Sequence, residues 1–269
     1  MNDYLTREMS APVPGAGEPG VLGPTVQALV YVPRAAAAGR TRAPLVVCCH
    51  GLGESGLRVA PVAQRLAAAG AVTVCPTFRG GGAPTAGATT GMSVLTELAD
   101  LEAILATAWS WPFVDTGRTA LFGRSLGGLV ATLAAARRPA QVAALVLWYP
   151  ALRAPAGLRA RFATPAAVPQ TFSHAVDNGQ MVLGRRYAQD MWGLDVDAQL
   201  SALRRPVLLV HGELDRDVPI EVSEAALRAL PDARLIPVPG AGHGFGGERF
   251  ESAVKASAEF LSWAGVLED

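Results

Sequence analysis

Ser125 stands in Gly123-Arg124-Ser125-Leu126-Gly127-Gly128, a G-x-S-x-G pattern between a short apolar run (118–122) and an Ala/Leu-rich run (126–137). The first run has the composition of a buried strand and the second that of a helix. The serine is therefore expected in a tight strand-to-helix turn rather than an ordinary Gly/Ser turn. Glycines two residues to either side suit such a turn, because side chains there would collide with neighbouring backbone. The turn would lift the hydroxyl off the sheet at a helix N-terminus, whose free N–H groups favour developing negative charge. A serine hydroxyl is still a poor nucleophile until a base takes its proton, and a third group must orient that base.

The chain offers four histidines as the base. His50 and His211 each end an apolar, strand-like run and precede a glycine, which suits turn geometry more than proton transfer. His174 has no acid motif beside it. His243 lies in Pro239-Gly240-Ala241-Gly242-His243-Gly244-Phe245, a loop after the last strand-like run from which an imidazole could reach back over Ser125. The acid candidate is Asp215, in His211-Gly212-Glu213-Leu214-Asp215-Arg216-Asp217-Val218-Pro219. It follows a strand-like run, so its carboxylate would emerge at the same sheet edge as the serine. Glu213 and Asp217 read as solvated loop charges. Acyl transfer also needs donors for an oxyanion. The backbone N–H of Leu126 would supply one, and His50-Gly51-Leu52-Gly53, at the end of an early strand, would supply the other through the Leu52 N–H.

The elements that must carry these residues alternate. Strands are expected at about 25–32, 45–49, 71–76, 118–122, 143–148, 207–211 and 234–238, with helices at about 59–69, 94–109, 126–137, 223–230 and 250–263. That alternation marks a mostly parallel sheet covered by helices on both faces, hence an α/β fold. Residues 10–24 are turn-rich and expected at the surface, and 34–42 are expected as a loop. The whole chain, 1–269, reads as a single domain with one interruption. Residues 151–203 are too long for an ordinary connection and are read as an inserted cap over the sheet's C-terminal edge, where open α/β sheets bind ligands. This cap brings Phe172, Tyr187 and Trp192; aromatics there suit an aromatic or acyl substrate, but they also serve to pack a cap onto its domain.

Of 269 residues half are hydrophobic, ample for a large core. Lysines plus arginines number 23 and acids 23, which gives no electrostatic case for nucleic acid or an anionic membrane. Residues 1–8 lack a basic segment followed by an apolar run, so no signal peptide is expected. No stretch approaches the ~18 apolar residues of a membrane span. Cys48, Cys49 and Cys75 all fall in apolar runs and read as buried free thiols of a reducing compartment, not as disulfides or a metal site. A cytoplasmic location is the expectation, and a homodimer is left open.

With these motifs assembled, the chain resembles the α/β-hydrolases over about residues 25–265, and Ser125, Asp215, His243 is the chain order of their triad. Within them it is similar to the cinnamoyl (feruloyl) esterase-like group, which borders on serine aminopeptidase-like hydrolases. That narrower likeness rests on residues 92–105, Met-Ser-Val-Leu-Thr-Glu-Leu-Ala-Asp-Leu-Glu-Ala-Ile-Leu, and on residues 183–190, Leu-Gly-Arg-Arg-Tyr-Ala-Gln-Asp. The resemblance implies a serine esterase acting on a small-molecule carboxylic ester, aromatic esters included, with no cofactor and no metal. Peptide or amide cleavage and thioester hydrolysis stay open, since one triad serves all three, and a ligand-binding protein on the same fold is the non-enzymatic alternative. Two departures stand out: Arg124 where the family often has His or Tyr, and Arg79-Gly80-Gly81-Gly82 where relatives have Arg-Gly-His-Gly. Arg124 is read either as a cation met by a nearby carboxylate or, with Tyr187 and Trp192, as a substrate-binding residue.

Overall fold

A computed structural model describes residues 3–14, 23–80, 88–176 and 179–268. Its centre is an eight-stranded sheet built from β1 (Tyr4–Pro12), β2 (Thr25–Pro33), β3 (Ala43–Cys49), β4 (Val72–Thr77), β5 (Val114–Arg124), β6 (Val142–Trp148), β9 (Val207–Gly212) and β10 (Ala233–Val238). Their spatial order is β1-β2-β4-β3-β5-β6-β9-β10. β1–β2 and β2–β4 pair antiparallel, and every pairing from β4 through β3 to β10 is parallel.

Apart from β10, an edge strand with three exposed residues, the parallel part is buried on both faces, which is why its strands read as continuous apolar runs. Every residue of β3 and of β9 is buried. Alternate residues of β3 serve opposite cores. Leu45, Val47 and Cys49 join the cluster with Leu98, Leu101, Leu129 and Leu133, from α3 (Val94–Trp109) and α4 (Leu126–Arg137). Val46 and Cys48 join Val59, Leu66, Val254 and Leu261, from α2 (Gly56–Ala68) and α9 (Gly247–Trp263). Cys48, Cys49 and Cys75 are free and buried. α8 (Glu221–Ala229) adds Ala226 to the first core, and α1 (Arg34–Ala37) is a single turn where a loop is expected.

The largest difference from the expected elements is β1. Its nine residues carry five exposed positions and none of the apolar alternation that signals a strand; pairing with β2 over nine residues holds it. Residues 10–12, expected in a turn-rich surface segment, belong to this strand, and 15–22 of that segment lie outside the described residues. β5 begins four residues before the expected 118, and its pairings with β3 and with β6 each shift register once.

Between β6 and β9 the chain forms α5 (Ala154–Arg161), a hairpin of β7 (Thr171–Val176) and β8 (Gly179–Gly184), α6 (Arg185–Trp192) and α7 (Val196–Ala202). Side chains tie it down. Thr89 Oγ1 donates to the Val182 carbonyl at 2.5 Å, and Ser93 Oγ to Asp190 Oδ2 at 2.5 Å. Gly184 lies where any Cβ would run into the Thr90 carbonyl. Among the described residues, no helix is long and apolar enough to cross a membrane.

Candidate active site

Ser125 leaves β5 with φ +51° and ψ −123°, a conformation that costs a non-glycine residue of order 1–3 kcal/mol. Packing imposes it. A Cβ at Gly123 would strike the Gly127 carbonyl, and one at Gly127 would strike the His50 and Cys49 carbonyls, so α4 docks against β3 through bare backbone. Ser125 N–H donates to the Trp148 carbonyl at 3.0 Å, and its own carbonyl accepts from Gly128 N–H (3.0 Å) and Ala151 N–H (2.9 Å). The strain is thus held by three main-chain hydrogen bonds.

Ser125 Oγ lies 3.1 Å from His243 Nε2, and His243 Nδ1 lies 2.8 Å from Asp215 Oδ2. The loops carrying the acid and the base meet because Gly212 has no side chain: a Cβ there would overlap the Ala241 and Gly242 carbonyls. Leu214 N–H donates to the Ala241 carbonyl at 2.8 Å, which locks the two loops together. The Tyr149 ring, 4.7 Å from that of His243, supports the imidazole from beside.

Asp215 is saturated with donors. Oδ1 accepts the Asp217 and Val218 N–H groups, each at 2.9 Å; Oδ2 accepts from His243 and has His211 Nε2 at 3.4 Å. Burial alone would raise its pKa, but the hydrogen bonds from His211, His243 and Val218 outweigh that and hold it well below the usual carboxylate range. Asp215, Asp217 and His243 offer ligand atoms within 4.8 Å of one another. A cation there would have to displace the His243 N–H and the backbone donors, so the donor set fits an ionised carboxylate orienting an imidazole better than metal binding. Glu213 and Asp217 are exposed.

His50 and His211 are buried. His50 Nδ1–H donates to the Gly51 carbonyl at 2.8 Å while Nε2 accepts Phe78 N–H at 3.0 Å, an arrangement that requires the neutral ring. Burial lowers its pKa to about 4, and the Arg124 charge adds to that. His211 Nε2–H donates to the Val218 carbonyl (2.7 Å) and Nδ1 accepts from Ser223 Oγ (2.7 Å), closing the loop that holds Asp215. Both histidines serve their turns.

A cavity of about 750 Å³ opens above Ser125. Leu52, Leu126 and His243 line its sheet side; His174, Tyr187 and Arg161 are among those lining the other. Leu126 is the first residue of α4, where main-chain N–H groups lack helical partners. Of the three residues considered for substrate contact, the structure puts only Tyr187 on this wall. Arg124 is not among the lining residues: its Nη1 is drawn 3.0 Å from Glu54 Oε1, and its guanidinium lies 5.3 Å from the Tyr149 ring. Trp192 is not there either; it packs against the core, and its carbonyl accepts from Arg159. Arg79, from the second departure, pairs with buried Asp100 at 2.6 Å, while Gly81 and Gly82 lie outside the described residues.

Sequence reasoning missed Glu54, which binds Gly51 N–H three residues back, a local spacing that could have revealed it. His211, read as a turn residue, is also near the carboxylate of Asp215, four residues on. His174 comes to the cavity through the hairpin, and nothing in its neighbourhood announces that.

The family described as serine aminopeptidase, S33, matches residues 40–192, more than half the chain. The chain belongs to this family. A second match, to a family described as TAP-like protein, covers residues 188–266. Among solved structures, Est1E from Butyrivibrio proteoclasticus with ferulic acid bound is similar at TM-score 0.80 and 24% identity, over 95% of this chain and 98% of that one. The α/β hydrolase GrgF from Penicillium sp. sh18 follows at TM-score 0.73 and 16% identity, over 97% and 99%. These likenesses establish the α/β-hydrolase fold. A polyketide synthase, ThaQ, from Burkholderia thailandensis is 33% identical over 177 residues, 52% of this chain and 8% of the synthase. The chain thus spans less than a tenth of that relative's length.

Proposed function

We propose that the protein is a serine hydrolase of carboxylic esters. The observation that carries this reading is the hydrogen-bonded line from Ser125 Oγ through His243 to Asp215, at 3.1 and 2.8 Å, with Ser125 and His243 on the cavity wall. His243 Nε2 takes the hydroxyl proton as Ser125 Oγ attacks the ester carbonyl. Asp215, held ionised, stabilises the imidazolium and fixes the tautomer with Nε2 free to accept. The Leu52 and Leu126 N–H groups hold the oxyanion. His243 then protonates the departing alcohol and activates the water that releases the acid.

Est1E's bound ferulic acid supports an aromatic acid as the acyl group, with Tyr187 and His174 on the wall that would receive it. The likeness to part of a polyketide synthase favours acyl-thioester hydrolysis as the second reading. The expectation of a small-molecule substrate handled without a cofactor belongs to the same proposal. A fluorophosphonate probe should label the protein and not its Ser125→Ala variant. Matched aryl esters, anilides and acyl thioesters then rank the substrates: preference for anilides would replace the ester reading with an amidase, and absent labelling would remove the serine mechanism.

A further inference from the structure

Glu54 lies among the residues lining the cavity, yet its carboxylate is engaged behind the wall. Oε2 accepts Gly51 N–H at 2.7 Å, and Oε1 lies 3.0 Å from Arg124 Nη1 and 3.4 Å from Arg58 Nε. Arg58 is exposed, so water screens it, whereas the Arg124 side chain is only 6% exposed and that of Glu54 15%. Gly51 is wedged between this carboxylate and the serine: a Cβ on it would lie 3.0 Å from Glu54 Oε2 and 3.2 Å from Ser125 Cβ. The next residue is Leu52.

One carboxylate therefore fixes the peptide that leads into the Leu52 N–H, and it does so close to where an oxyanion forms. A bare negative charge there would oppose the charge developing in the transition state. Arg124, one residue before Ser125, is the buried cation that cancels it. We propose that Glu54 and Arg124 are positioning residues: Glu54 sets the oxyanion-binding loop against Ser125, and Arg124 neutralises Glu54 so that the loop can receive negative charge. This rests on the Ser125 reading above, and it gives a role to the residue by which this chain departs from the pattern of its family.

A double-mutant cycle tests it on a neutral aryl ester, with kcat, KM and Tm measured for each protein. Arg124→Gln leaves the carboxylate uncompensated and should lower kcat by about 10²-fold with little change in KM. Glu54→Gln keeps a neutral acceptor for Gly51 N–H and should lose much less. The double variant should recover most of the loss in kcat without recovering the Tm of the parent. Arg65→Gln, which breaks the exposed pair with Glu251, controls for loss of any ion pair and should change nothing. A double variant no better than Arg124→Gln, or an Arg124→Gln with parental kcat, overturns the proposal. If Arg124→Gln does not fold, the comparison of Glu54→Gln with the double variant takes its place: once the carboxylate is neutral, losing Arg124 should cost less than about threefold in kcat, and a further loss of about tenfold or more overturns the proposal. Fluorophosphonate labelling of Ser125 separates the two levels. With labelling intact, a negative cycle removes only the positioning role; with labelling absent, the ester-hydrolase reading falls first.

Discussion

On the sheet side of the cavity, Ser125, Asp215 and His243 stand on backbone set by close-packed glycines and main-chain hydrogen bonds; on the inserted side, His174, Tyr187 and Arg161 stand on elements whose hydrogen bonds to the body include side-chain ones from Thr89 and Ser93. The first wall is built from strand ends, glycines that admit bare backbone, and main-chain hydrogen bonds on both sides of Ser125. The second is fastened to the body by Thr89–Val182 and Ser93–Asp190, and braced within itself by Arg153–Asp197 and Arg185–Val168. Reacting atoms must be held to a fraction of an ångström, whereas a pocket that selects substrates tolerates exchange of its side chains. On the proposed function, this difference in construction corresponds to a division of labour, chemistry on one wall and selection on the other.

The severest test lies on the rigid wall. Ser125→Ala should fold normally and lose about 10⁶-fold in kcat, leaving what binding and the oxyanion donors supply. A variant that kept a tenth of parental turnover would mean the nucleophile is elsewhere. Asp215→Asn should cost about 10⁴-fold, because the amide can favour the wrong imidazole tautomer. Glu213→Gln and Asp217→Asn alter exposed carboxylates and should each stay within roughly tenfold of the parent. Steady-state kinetics on one small acetate ester compares all four variants, and a greater loss for Asp217→Asn than for Asp215→Asn would transfer the orienting role to the neighbour.

The inserted wall should answer differently. Tyr187→Phe and His174→Ala should leave kcat on a small acetate ester within a few-fold of the parent. They should shift the ratio of kcat/KM between bulky aryl-acyl esters and that acetate by about tenfold, the scale set by a changed pocket contact. Equal losses on every substrate, with the variants still folded, would dissolve the distinction between the walls.

The same contrast governs what could be read from the chain. The rigid wall is written in local motifs, since a strained serine needs glycines at fixed offsets and an acid and a base after successive strands. Its members could be named one by one. The inserted wall has no such grammar: His174 reaches the cavity through a hairpin whose exposed positions look like any surface. The Glu54–Arg124 pair spans seventy residues, and although the sequence reading allowed Arg124 a carboxylate partner, nothing in it pointed to Glu54. β1 was missed for a related reason. Its stability comes from its ladder with β2 rather than from an apolar face, so no periodicity marks it.

His50 gives the finest test, because it belongs to the rigid wall without taking part in the chemistry. Its ring joins the loop after β3 to Phe78 only while neutral, and its pKa in the folded protein is about 4 against an ordinary 6.5. Between those values the unfolded chain binds a proton that the folded ring refuses, so stability should rise with pH across that window and be lost as pH falls from about 6.5 toward 4. Below about 4 both states are protonated and this residue adds no further loss. The shift corresponds to about 3 kcal/mol at most, or roughly 5–10 °C in Tm for a chain of this size. His174, whose pKa is also lowered by burial and by Arg161, acts in the same direction and stays in place for the comparison. His50→Gln keeps an acceptor for Phe78 N–H but cannot titrate. Its Tm should therefore change less than the parent's between pH 6.5 and 4, while Ser125 labelling at pH 7.5 persists. Parallel Tm–pH curves for the two proteins would show that the ring titrates freely in the folded state, and that this corner of the site is looser than the wall it belongs to.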